Sequence, residues 1–378
     1  MTVIRQLYKK TDINFFSLVC VRVFVRQGAM EQAISALWHG LSDRTRFGVL
    51  LSAAHTIPAL ISFILYTAVE CSPAFDRYKI QPKQRPNFVA SSLRQWLFPQ
   101  ANDTTPRGTA AQPPAPPTQQ RTSLATVSKC LRQLLVSHLV VVPLLFYGPG
   151  YNVAQQLLLF SNGGGGRPSP AETTSAVLQT PITQILAVAL RPFFLEPNAD
   201  RHAFLPSLFE QAYPPWYIVV GQLLFFIVVE DALFYWVHRM LHEVPGLYAR
   251  VHKKHHDFRS PITIAAEYAH PVETLLGNFV PFLTGPILWP THPTVFAAWM
   301  AIRIFKTAEA HSGYASLPWQ LFSWCPRWLT SSRRHDFHHS ENSGCYASFF
   351  TFWDWACGTD ATFVRKHPLG EVISSHTP

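Results

Sequence analysis

Long apolar runs along this chain alternate with strongly polar ones. Gly48 to Val69 holds 22 residues without a charge, enough for a helix to cross roughly 30 Å of hydrocarbon. Leu134 to Tyr147 is a shorter run with VVVPLLF at its centre, and Trp216 to Val237 is a third that carries Glu230 and Asp231 near its end. Leu275 to Trp289 and Val295 to Ile304 are separated by little beyond Pro290 and Pro293. That pair predicts a helical hairpin that dips from one side of the membrane and returns. Ala176 to Leu190 fits either a further span or an interfacial helix. The pattern predicts an all-α integral membrane protein with about four to five transmembrane helices and a helical cap.

The segments between these runs suggest the domain limits. Residues 1–47 form an N-terminal extension; its apolar stretch Phe15 to Val25 is broken by Arg22 and no small-residue cleavage site follows, so it does not read as a signal peptide. Residues 48–98 hold the first span and a basic loop, and 99–122 form an insertion rich in Pro, Thr and Gln that cannot bury a core and is expected to be disordered. Residues 123–215 hold the second span and a linker, 216–365 the histidine-rich domain, and 366–378 a tail. The glycine run Gly163 to Gly166 lies in that linker; with no Lys-Ser/Thr behind it, it is no phosphate loop.

Composition supports this picture. Charged residues are 14% and hydrophobic ones 48%, against roughly 25% charged in an ordinary soluble domain, which argues against a free-standing soluble enzyme. Mean hydropathy is +0.08, too low for a chain that is nearly all membrane. Lys and Arg number 31 against 22 Asp and Glu, a formal charge of +9, but no compact basic cluster stands on a polar domain, so nucleic acid is a poor partner. Arg239, Arg250, Lys253, Lys254, Arg259, Arg327, Arg333 and Arg334 surround the histidine-rich segments and place them on the cytosolic side. Six cysteines without a C-x-x-C pair suggest neither a disulfide scaffold nor a zinc finger.

Of 17 histidines, 11 fall between His238 and His339. Three boxes stand out: His238 and His242; His252, His255 and His256; His335, His338 and His339. Residues three and four apart share a helix face, so each box is expected to offer two or three imidazoles from one short helix. His270 and His311 lie between the boxes and bring the candidate ligands to ten. Ten imidazoles are too many for one ion but suit two, and imidazole without paired thiolates suits iron, zinc or copper. The natural inference is a di-iron centre at the membrane surface that activates O2. A ligating imidazole needs a partner for its other nitrogen; Asp231, Glu267, Glu309 and Asp336 are candidates, with Glu230 and Glu273. Asp231, seven residues before His238 on the same face, is the favoured one. The remaining histidines, His39, His55, His138, His202, His292, His367 and His376, read as surface or packing residues.

The boxes, in this order and spacing, resemble the membrane fatty acid hydroxylase/sterol desaturase superfamily, and within it the C-4 methylsterol oxidases (methylsterol monooxygenases). Arg77 to Pro82, Glu230-Asp231, Ala266 to Glu273, His311 to Tyr314, Arg334 to His339, Tyr346 to Ser348, Trp353-Asp354 and Gly358 to Asp360 carry the likeness, which covers roughly Ile61 to Val364. Glu243 stands where that subfamily often has a further histidine. The resemblance implies a di-iron domain over 216–365 with two Fe per chain, in a multi-pass protein of the endoplasmic reticulum membrane. It implies O2-dependent oxidation of a C-4 methyl group of a sterol or sterol-like triterpenoid. Electrons would come from cytochrome b5 and its NAD(P)H-dependent reductase, with Lys253, Lys254, Arg333 and Arg334 as a docking patch. Alternatives within the superfamily are a sterol side-chain hydroxylase, a sterol C-5 desaturase and a sphingoid-base hydroxylase. A membrane metal-binding or transport protein is the non-enzyme alternative.

Overall fold

The structure is a computed structural model, and it describes residues 31–32, 34–81, 124–155, 207–320, 322, 325 and 327–367. The Phe15 to Val25 stretch, the Pro-rich insertion, the glycine linker, Ala176 to Leu190 and the C-terminal tail lie outside the described residues.

Among the described residues the fold is all helical, with two isolated bridges, Lys79 to Tyr314 and Leu329 to Phe350, in place of any sheet. Three helices are long and apolar enough to cross a membrane: α1, Asp43–Cys71; α2, Ala125–Gln155; and α3, Trp216–Glu243. They contain three of the runs read from the sequence. The Ser42 side chain caps α1 by accepting from the Thr45 amide at 3.2 Å, and Asp43 supplies negative charge to its first turn. Large apolar side chains on all three helices stay exposed, among them Ile57, Ile64, Leu139, Leu144, Leu224 and Val228. An apolar surface of this extent suits hydrocarbon, not water.

The predicted hairpin is present. α4 runs through Pro271–Glu273, a π-helical stretch Thr274–Phe279 and Val280–Leu288; α5 is Pro293–Ala310, begun by the His292 side chain and Pro293. At its turn, Gln222 of α3 donates to the Pro290 carbonyl at 3.1 Å and accepts from Thr291 at 2.7 Å. Gln222 lies sixteen residues before His238 on α3, about 24 Å along a helix, so the hairpin turn and the histidines sit at opposite ends. α5 falls short of a lipid-facing span because Arg303, Lys306 and Glu309 occupy its second half. They turn inward: Arg303 donates to Glu230 at 2.6 Å and Lys306 to the Thr330 carbonyl at 2.7 Å.

Aromatic packing holds the hairpin to α3. Trp299 stacks on Phe282 with centroids 5.7 Å apart, meets Phe226 at 6.1 Å, and donates its Nε1 hydrogen to the Phe282 carbonyl at 3.1 Å. Gly285 lets the two backbones approach, since a Cβ there would lie 2.9 Å from the Phe226 ring. α5 also lies against α1. Beyond the hairpin come α6, Ser332–Glu341, which ends at Asn342 with φ 57°, and the short α7, Phe352–Cys357, and α8, Ala361–Lys366.

Candidate metal centre

Nine of the ten candidate histidines converge at the C-terminal end of α3, in two sets. His238, His242, His252, His256 and His338 form one; His255, His311, His335 and His339 form the other. Within each set the candidate ligand nitrogens lie within 4.8 Å of one another. The sets adjoin, with the rings of His256 and His339 4.6 Å apart.

Helical spacing suggested that the histidines of each box point the same way, but the second and third boxes are divided between the two sets. On α6, His335 and His339 are one turn apart and share the second set, whereas His338 lies about 100° round the helix from its neighbour and enters the first. The second box divides likewise: His252 and His256 go to the first set and His255 to the second. It is also not a single helix, but a π-turn, Tyr248–His252, followed by a 3₁₀ turn, His255–Asp257. Adjacent histidines at 255–256 and 338–339 therefore straddle the two sets.

The orientation of the rings decides what the sets can bind. The Nδ1 atoms point outward to acceptors: His238 to the Tyr346 carbonyl at 2.9 Å, His311 to Thr307 at 2.7 Å, His338 to Gly344 at 2.8 Å, His339 to Phe258 at 3.0 Å and His255 to Tyr268 at 3.3 Å. His252 Nδ1 faces Glu273 Oε1 at 2.9 Å. Each of the five carbonyl contacts keeps the proton on Nδ1 and leaves the Nε2 lone pair turned inward, whereas His252 Nδ1, though close to Glu273, makes no hydrogen bond. The inward atoms then crowd: His335 to His311 at 2.9 Å, His311 to His255 and His256 to His252 at 3.1 Å, His339 to His335 at 3.2 Å. Buried His242 Nε2 and His338 Nε2 have no hydrogen-bond partner. Burial, and after it the neighbouring imidazoles, hold His252, His256, His338 and His339 well below the ordinary imidazole value. Burial lowers His255 to about 4. The rings are thus neutral at pH 7, and lone pairs facing one another at about 3 Å call for cations between them. The donor set fits two transition-metal ions.

The other candidates lie elsewhere. His270 belongs to neither set; its Nδ1 accepts from the Val272 amide and caps the start of α4. Asp231 does not reach His238. It accepts from the Phe349 and Phe350 amides at 2.6 and 3.0 Å, steadying the strand-like segment whose Tyr346 carbonyl holds His238. Asp336 accepts from Gln81 at 2.7 Å, and the Glu309 carbonyl accepts from Ser332 at 2.7 Å. Glu267 faces His138 at 3.2 Å, outside both sets. Of the carboxylates considered, Glu273 is the one that touches a histidine of the two sets. Within the basic patch, Arg334 pairs with Asp360 at 2.9 Å and Lys254 donates to Gln133, while Lys253 is exposed. Sequence reasoning passed over the backbone carbonyls as partners, since they carry no residue signature.

A partly open cavity, with room of about 50 Å³ for water-sized occupants, reaches both sets. His238 and His252 line it from one, and His255, His311 and His335 from the other. Phe234, Leu241 and Ala266 add apolar wall; Asn278, Thr330 and Ser331 add polar groups.

A helical protein with three membrane-capable helices and two adjoining histidine sets is the class that this geometry defines. Residues 223–359 match the fatty acid hydroxylase family, which places that segment in the fatty acid hydroxylase superfamily and near the methylsterol oxidases. Methylsterol monooxygenase 1 of Rattus norvegicus is 41% identical over 160 residues, 42% of this chain and 52% of the relative. Methylsterol monooxygenase 2-2 of Arabidopsis thaliana is 40% identical over 161 residues, 42% and 59%. The very-long-chain aldehyde decarbonylase GL1-11 of Oryza sativa subsp. indica is 40% identical over 166 residues, 43% and 61%. The matches thus span between half and about three fifths of these relatives' length. No solved structure matches the chain.

Proposed function

We propose that this protein is a membrane-bound, O2-dependent oxidoreductase that uses two iron ions to oxidise a C-4 methyl group of a sterol or sterol-like triterpenoid. The observation that carries the reading is the convergence of nine imidazoles in two adjoining sets, five and four, with members of both sets lining one cavity. His238, His242, His252, His256 and His338 would hold one ion and His255, His311, His335 and His339 the other. Iron, when bound, supplies activation of O2 toward an unactivated C–H bond.

The chain's own residues do the rest. The carbonyls of Tyr346, Thr307, Gly344, Phe258 and Tyr268 hold the Nδ1 protons of His238, His311, His338, His339 and His255 and so fix the orientation of these rings before any ion binds. Phe234 and Leu241 offer apolar surface to a ring system. Asn278, Thr330 and Ser331 offer hydrogen bonds to a polar end such as a 3-hydroxyl, which brings the neighbouring C-4 methyls toward the histidines. Electrons come from outside, since the sequence holds no flavin or nicotinamide fingerprint. A cytochrome b5-type donor with its NAD(P)H-dependent reductase would meet the cytosolic side near exposed Lys253. The endoplasmic reticulum membrane is the setting that goes with this chemistry.

The test supplies microsomes containing the protein with a 4,4-dimethylsterol, O2, NADH and the donors. A 4-hydroxymethyl or 4-carboxy product supports the reading. Intact methyls with hydroxyl on the side chain, or a new ring double bond, overturn the substrate. The similarity to an aldehyde decarbonylase supports a second reading, a very-long-chain aldehyde as substrate. Its signature in the same microsomes is a hydrocarbon one carbon shorter.

A further inference from the structure

A second kind of cluster lies between the long helices. His55 of α1, His138 of α2 and Glu267 of the turn Thr263–Glu267 bring one candidate ligand atom each within 4.8 Å of the others. His138 Nε2 is 3.2 Å from Glu267 Oε2, and His55 Nε2 is 3.9 Å from the same oxygen. His55 Nδ1 is 3.3 Å from His138 Nδ1, which also lies 3.0 Å from the Thr56 hydroxyl. All three side chains are largely enclosed, 13% exposed for each histidine and 19% for the glutamate.

The sequence suggested packing roles for both histidines. The structure argues otherwise on three grounds. Polar, ionisable groups inside apolar helices are costly and are generally kept for function. His55 and His138 both lie near the middle of helices of 29 and 31 residues. His138 also sits in a π-helical turn, Ser137–Val141, an irregularity that re-aims side chains and recurs at functional sites. Finally, protons alone do not satisfy the cluster in neutral form. If His138 Nε2–H donates to Glu267, a neutral His55 protonated on Nδ1 leaves its Nε2 lone pair facing Glu267 Oε2 at 3.9 Å, and one protonated on Nε2 leaves its Nδ1 lone pair facing that of His138 Nδ1 at 3.3 Å. A cation removes that repulsion.

We propose that His55, His138 and Glu267 form a third metal site, for a divalent first-row ion of the zinc or iron(II) type. Two imidazoles and one carboxylate are a donor set that such ions take readily, with remaining positions left to water. The site fastens α1 and α2 to the turn that precedes Tyr268, whose carbonyl orients His255 of the large centre. Gln133 reinforces the same turn by donating to the Glu267 and Ala269 carbonyls at 3.2 and 3.0 Å. The ion is therefore structural toward the large centre, and the proposal does not depend on the substrate or on O2 chemistry.

The test uses full-length protein in detergent, stripped with a chelator and refilled with Zn²⁺, with zinc counted per chain. Glu267→Gln keeps side-chain size and His55→Asn removes the Nε2 donor, and both are expected to bind one zinc fewer than wild type while remaining monodisperse. Zinc is expected to raise the melting temperature less in either variant than in wild type. A chain with His338→Ala and His339→Ala, impaired in the large sets, is expected to lose a further zinc when Glu267→Gln is added. That arm separates failure of this site from failure of the nine-histidine reading. Equal zinc in wild type, Glu267→Gln and His55→Asn overturns the proposal and leaves a protonated ion pair between the three groups.

Discussion

The nine-histidine centre and the aromatic core beneath it are built on opposite terms. The core joins α3, α4 and α5 through stacked rings, Phe282 on Trp299 and Trp299 beside Phe226, with one hydrogen bond, from Trp299 to the Phe282 carbonyl. Its contribution is summed from many weak contacts and buried area, with little demand on direction. The histidine centre buries polar atoms that gain nothing from burial. Five of the nine rings, those of His238, His255, His311, His338 and His339, are aimed by a directional contact from Nδ1 to a carbonyl. The difference teaches that the core sets where the ends of α3 and α5 stand, while the carbonyls set which nitrogen faces inward. Damage to the first should show in stability, damage to the second in metal binding.

The largest expected effect tests that division at the histidines. His338→Ala or His339→Ala should abolish oxidation, to under about a tenth of wild type, while the protein stays inserted and folded; retained turnover above that in both would remove these rings from the account. Next is Trp299→Ala. Loss of this wholly buried ring should cost about 3–5 kcal/mol of stability, read as a lower melting temperature, with metal content per folded chain unchanged. A matching loss of metal would show that core and centre are not separable. Glu273→Gln keeps shape but replaces the carboxyl group that lies 2.9 Å from His252 Nδ1, and should lower metal affinity or turnover roughly 10–100-fold without a large thermal shift. Asp231→Asn acts one step further out, through the Phe349 and Phe350 amides, and should be milder than Glu273→Gln in metal content. Smallest is Gly285→Ala, where the added methyl meets Phe226; about 1–3 kcal/mol of stability and no change in metal content are expected.

Much of this was legible in the sequence because it rests on local periodicity. A charge-free run marked α1, an apolar run interrupted near its end by Glu230 and Asp231 marked α3, and the two prolines at 290 and 293 marked the hairpin turn. The histidine boxes marked eight residues that the fold gathers, and His311 between them is the ninth. The allocation of those residues was not legible. Treating residues three and four apart as one face put His335, His338 and His339 together, but in a centre with two adjoining sets the 60° or so between such positions is enough to divide them. Long-range polar choices were equally hidden. Asp231 shares a face with His238, yet two amides 118 and 119 residues away claim it first. His55 and His138, 83 residues apart in the chain, carry no joint motif, and only the packing of α1 on α2 brings them to Glu267.

The central claim is that the nine histidines hold two ions in two adjoining sets. Metal per chain, measured on intact wild-type protein and on a chain carrying His242→Ala, His338→Ala, His311→Ala and His335→Ala, tests it most directly, because the difference is independent of any metal held elsewhere. The account predicts a loss of two ions per folded chain. A difference of one or none, in protein that remains monodisperse, would contradict it.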